Sequence, residues 1–116
     1  MIRAKDIPDY YSFVYVTFSF PPSELGNPIY YEAEVVSPGS PNQHDVAADL
    51  GRPAGQGCIV NDGPGDLLLD ISYDGETFTE NVRLKNYEIL DLTGLRVYKL
   101  RVDATRAGTK YRVLAI

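Results

Sequence analysis

The sequence is short of the residues that do chemistry. It holds one cysteine, Cys58, one histidine, His44, and no tryptophan. A single thiol excludes an internal disulfide and leaves a zinc site without its usual thiolate set. Cys58 with His44 would be the only thiol–imidazole pair, and Cys58 reads in preference as a small buried hydrophobe at the start of a strand. Basic clusters are missing as well. The 11 Lys and Arg are scattered among 16 Asp and Glu, for a net charge of −5, so the basic patch of a nucleic-acid-binding surface is not there and no nucleic-acid partner is expected. No apolar run is long enough to span a bilayer, and the aromatic-rich Phe13–Phe20 is too short, so no membrane partner is expected. Met1–Pro8 lacks the basic and apolar regions of a signal peptide, which predicts synthesis in the cytoplasm without an address of its own.

What is present is strand chemistry. With 116 residues, 44 % hydrophobic and 23 % charged, the composition predicts one domain around one core. Leu67, Leu69, Ile71 and Tyr73 alternate with Asp66, Leu68, Asp70, Ser72 and Asp74, the period of a half-buried strand, and Asp74-Gly75 carries the signature of a type I′ hairpin turn. Further strands are expected at Thr79–Leu84, Tyr87–Leu92, Leu95–Asp103 and Lys110–Ile116, so that the C-terminal half reads as an antiparallel meander. Leu95 and Val97 share one phase while Tyr98, Leu100 and Val102 take the other, which predicts a β-bulge near Tyr98-Lys99.

The front half is less regular. Met1–Asp9 reads as an extended arm and residues 10–116 as a single domain. Tyr10–Phe20 is a strand candidate that is aromatic or apolar on both faces, suited to cover by another layer or another subunit, and ends at Pro21-Pro22. Ile29–Val36 places Glu32 and Glu34 opposite Tyr31, Ala33 and Val35, so alternation explains the two carboxylates without an acid–base pair and leaves one side facing water or a basic partner. Residues 37–57 form a long irregular loop in which Asp45–Leu50 has room for one helical turn. Cys58–Val60 adds a strand. Asn61–Asp66 reads as a turn, since it lacks the spacing of a calcium loop and the Lys and helix of a phosphate loop.

These features predict an all-β protein, an antiparallel β-sandwich of about eight strands, with a jelly roll among its forms. No nucleophile, base and orienter come together, so no enzymatic activity and no cofactor are expected. A carbohydrate-binding sandwich is the second class considered. Nine tyrosines could serve it, yet Tyr10-Tyr11 and Tyr30-Tyr31 put adjacent rings on opposite faces. The interface residues expected from the arm, the aromatic strand and the loop are Ile2, Ile7, Tyr11, Phe13, Tyr15, Pro41, Asn42 and Arg52.

Three stretches, LLLDISYDGETF, VRLKNYEILDLTGLRVYKLRV and TKYRVLAI, resemble small structural proteins of tailed bacteriophages. The resemblance implies a non-enzymatic virion component, first a capsid decoration or cement protein and next a tail or head-tail connector component. Its implied partners are the major capsid protein or other virion subunits, with self-association, a trimer being one closed arrangement. Its implied location is the capsid surface of the virion.

Overall fold

The computed structural model describes residues 27–80 and 82–116. Eight strands form among them: β1 (Ile29–Val35), β2 (Asn42–His44), β3 (Gly57–Gly63), β4 (Leu67–Ser72), β5 (Val82–Leu84), β6 (Ile89–Asp91), β7 (Lys99–Ala104) and β8 (Thr109–Ala115), with one short helix, α1 (Val46–Leu50). The Met1–Asp9 arm and the Tyr10–Phe20 strand lie outside the described residues.

Alternation makes the layers. In β4, Leu67, Leu69 and Ile71 are buried; in β7, Leu100, Val102 and Ala104; in β8, Thr109, Tyr111, Val113 and Ala115. One antiparallel sheet runs β1-β8-β3-β6 and the other β2-β7-β4-β5. Together they pack as a sandwich around Val35, Ile59, Leu67, Leu69, Ile71, Leu100, Val102, Tyr111 and Val113. The pairing has a simple rule. β1 pairs with β8, β2 with β7, β3 with β6 and β4 with β5, as in one long hairpin rolled up, and the extra β3–β8 and β4–β7 contacts close the roll into two sheets. That topology is a jelly roll.

The expected meander is therefore corrected. Of the consecutive strands after Asp66, only β4 and β5 are neighbours, and the chain then passes between the sheets at every connection. Alternation specifies which face of a strand is apolar, but not which strand lies beside it. Length decides more: β3, β4, β7 and β8, of six or seven residues each, take the central positions, and three of the four edges are three-residue strands.

Two local expectations also change. A type I′ turn needs positive φ at both Asp74 and Gly75, and only Gly75 has it (+88°). The Asp74 carboxylate instead accepts the Glu76 and Thr77 N–H groups, each at 2.8 Å, and the Thr77 hydroxyl, so its side chain does the work of a turn carbonyl. These donors pull the Asp74 pKa down to about 2. No bulge forms at Tyr98-Lys99. Val97 makes an isolated bridge to Ala54, the Tyr98 N–H turns to Ser72 O and its carbonyl takes the Ala47 N–H, so the phase change marks a change of partner. The register shift that does occur lies in β3, between Asn61 and Gly63 against β8.

Asn61 fixes that shift. It is fully buried, donates Nδ2 to the carbonyls of Gly65 (2.9 Å) and Leu84 (3.0 Å), and accepts the Gly63 N–H through Oδ1 (2.7 Å). Its backbone N–H and C=O bond Glu88 and Tyr87, so one residue ties the β3–β4 turn to the β5–β6 turn. Asn61→Ala would strand a buried donor and two buried acceptors, and unsatisfied groups of that kind each cost on the order of 1–3 kcal/mol. We expect a loss of about 3 kcal/mol in urea unfolding, reduced by whatever water enters the site.

Candidate functional site

Three of the expected interface residues fall among the described ones. Pro41 is exposed on the approach to β2, and Arg52 is half-buried after α1, its Nη1 3.4 Å from the Pro53 carbonyl. Asn42 is committed inside the fold, donating Nδ2 to the Glu34 carbonyl (3.0 Å) and to the Tyr111 hydroxyl (3.2 Å). Ile2, Ile7, Tyr11, Phe13 and Tyr15 lie outside the described residues. The stretch 37–57 is more ordered than a loop with one turn. It contains β2 as well as α1, whose N-cap is Asp45 (Oδ1 accepts Ala48 N–H, 3.2 Å) and whose C-terminus is closed by Gly51 in the left-handed region.

Asn42 belongs to a polar clasp between the sheets. His44, two residues on and on the same face of β2, approaches the Tyr111 hydroxyl through Nε2 at 2.6 Å. Its ring stacks on Tyr31 of β1, with centroids 4.2 Å apart and planes 19° from parallel. The Tyr31 hydroxyl in turn donates to Asp49 of α1. Strand β1 and β8 belong to one sheet and β2 to the other, so the clasp joins the layers where aliphatic packing gives way to polar groups.

Cys58 and His44 do not meet. Cys58 sits on the face of β3 that points away from the sandwich core, in a small cluster with Val60 and Leu114, while His44 is turned inward from the opposite sheet. Burial pushes the Cys58 thiol up to about 12, so at neutral pH it is a thiol and not a nucleophilic thiolate. The Asn61–Asp66 carboxylates are also in use. Asp62 takes a bidentate bond from Arg112 (2.8 Å from both Nε and Nη2), and Asp66 pairs with Arg83 at 2.9 Å. Glu32 and Glu34 are exposed and line an open cleft of about 280 Å³ with Ala33, Asp62 and Lys110. Among the described residues no group of three or more His, Cys, Asp or Glu could hold a metal ion.

The surface feature that sequence reasoning missed is Tyr87, in the turn between β5 and β6. It is 74 % exposed and is the one non-glycine described residue with positive φ, at +67°. Its N–H reaches the Asn61 carbonyl, and the Glu88 N–H reaches Lys85 O, so Asn61 and the turn hold the backbone where a tyrosine is disfavoured. Nothing in the run Lys85-Asn86-Tyr87-Glu88 announces this, because Asn86, the residue that tolerates such a φ, stands one place too early.

The thiol gives a direct check on this account of Cys58. At pH 8 the native protein should react with Ellman's reagent about a thousandfold more slowly than an exposed thiol, and at the ordinary rate once unfolded. Fast reaction in the native state would show Cys58 to be open and ionisable.

Comparison with protein-family models, with curated proteins and with solved structures finds no match in any of the three.

Proposed function

We propose that this chain is a non-enzymatic bacteriophage virion structural protein, a capsid decoration or cement protein that stabilises the shell by bridging its subunits. The observation that carries the reading is Tyr87. A left-handed backbone at a residue with a Cβ costs about 1 kcal/mol, and here the ring it presents is mostly in water and makes no side-chain hydrogen bond with a described residue. A strained, exposed tyrosine on a rigid turn is suited to be a contact anchor, because aromatic anchors supply large contact area at low entropy cost. The rest of the chemistry supports a passive role: the one thiol is protonated, the Asp62 and Asp66 carboxylates are paired with arginine, and the jelly roll is a common capsid and lectin architecture, which is support by analogy only.

A fastener of this kind works by mass action. It binds the assembled shell and not the free subunits, and so shifts the assembly equilibrium toward the shell. Tyr30 (47 % exposed) and Ile89 (38 %) add exposed area on the outward face of the β1-β8-β3-β6 sheet.

The test separates stability from binding. Tyr87→Asn relieves the backbone and should leave stability unchanged or raise it by up to about 1 kcal/mol in thermal unfolding. Loss of an anchor should weaken co-sedimentation with empty capsid shells by about thirtyfold, equivalent to ~2 kcal/mol. A wild-type protein that sediments with no shell or tail assembly would rule the reading out. Binding to a glycan array that Tyr87→Asn abolishes would replace it with the carbohydrate-binding alternative.

A further inference from the structure

We propose that His44 is a proton-operated latch: its protonation frees the segment Asn42–Leu50 from the rim of the sandwich while the two sheets remain folded. The geometry of the clasp supplies the switch. Strand β2 is three residues long and pairs with β7, and α1 is five residues long, so neither element holds itself in place by length. Val46 is buried in the core and Leu50 packs against it; the polar fastening to the other sheet is the set Asn42–Glu34, Asn42–Tyr111, His44–Tyr111, His44–Tyr31 and Tyr31–Asp49.

The hydrogen bonds fix the proton positions. The Asn42 amide donates to the Tyr111 oxygen, which leaves the Tyr111 hydroxyl hydrogen to be donated to His44 Nε2. His44 is thereby assigned as neutral, with its proton on Nδ1. Adding a proton at Nε2 would aim two donors, from Asn42 and His44, at one hydroxyl oxygen and leave the Tyr111 hydrogen without its acceptor. Tyr111 is fully buried, so that hydrogen has no water to turn to. The segment escapes the conflict by opening, where imidazolium and hydroxyl are both hydrated.

The charges around the ring give the sign. From β1 the ring meets Tyr31, a phenol kept neutral because burial, then the bond to Asp49, pushes its pKa up. From β8 it meets Tyr111, whose phenol burial also raises. From α1 the Asp49 carboxylate favours imidazolium, and Asp45 next to His44 is the helix cap. From β7 the register partner of His44 is Leu100, whose neighbours Lys99 and Arg101 lie on the opposite face of that strand. Burial outweighs Asp49, and the His44 pKa lies below its ordinary value of 6.5. Since the open form titrates at the ordinary value and the closed form lower, the clasp holds fully above about pH 6.5, weakens as pH falls from there toward the closed-state value, and weakens no further below it. Each pH unit between the two corresponds to a tenfold change in the opening equilibrium.

His44 is the chain's one histidine and so the one side chain whose ordinary value lies between pH 7.5 and 5.2, and a His44→Gln control separates its titration from those of the α-amino group and the carboxylates. Hydrogen exchange by mass spectrometry on the whole protein, corrected for intrinsic rates, should show a loss of protection at pH 5.2 across 42–50, bounded at about twentyfold by an open form that titrates at the ordinary value, with 57–63 and 109–115 unchanged. His44→Gln should abolish the pH effect. Tyr111→Phe, which removes the donated hydrogen bond and keeps the ring, should raise the His44 titration midpoint in NMR and shrink the effect. Equal protection at both pH values, the same loosening in His44→Gln, or uniform loss over every strand would overturn the latch.

Discussion

The pairing of β3 with β8 is the constraint on which the rest of the structure depends. Each of these strands is flanked on both sides, by β6 and β8 in one case and by β1 and β3 in the other, so every neighbour in that sheet is positioned by them. The two approach so closely that a Cβ on Gly57 would lie 1.9 Å from the Leu114 carbonyl oxygen, and Gly57 itself has a φ of +131°. Only glycine fits there. Tyr111, the largest fully buried side chain among the described residues, projects from β8 into the core and carries its hydroxyl out to the rim, where it meets Asn42 and His44. Core and clasp thus share a residue, and the aliphatic packing of the sandwich sets where the polar network sits.

Much of this was legible one strand at a time. The alternation in Leu67–Ser72 gives both a strand and its buried face, the period of Lys110–Ile116 does the same, and Asp45 ahead of a short apolar patch marks the one helix among the described residues. Glu32 and Glu34 are exposed, as a period of two requires. The illegible parts have physical reasons. Strand β2 reads Asn-Gln-His, with no apolar face, because its inward residues bury polar tips against Tyr111 and Glu34 in place of aliphatic carbons. The order of strands in the sheets depends on contacts far apart in sequence, and a local period carries no record of them. Asp74-Gly75 has the letters of a hairpin turn, but a carboxylate that can cap three donors offers the chain a competing geometry, and that geometry wins.

A sequence specifies its structure through agreement between local preference and global packing, so places of disagreement repay comparison. Arg101 is one. Its Nε is buried with no hydrogen-bond partner among the described residues, yet its guanidinium lies 3.9 Å above the Phe78 ring and Nη2 pairs with Asp70 at 3.2 Å. Those contacts are a sufficient return within the molecule. His44 is another, a titratable ring in the wall of the core, and its return is the joining of two sheets at a point where a short strand could not hold alone.

Tyr87 differs from both. Its backbone is held in a disfavoured region by bonds from Asn61, and these would hold an asparagine or a glycine in the same place with less strain. The side chain is therefore not required by the turn. It is not required by the core either, because most of its surface is in water. A residue that both the backbone and the packing would exchange without loss is left open to selection by contacts outside the fold, and this asymmetry is why the proposed surface role rests on Tyr87 more than on the paired carboxylates or the buried thiol.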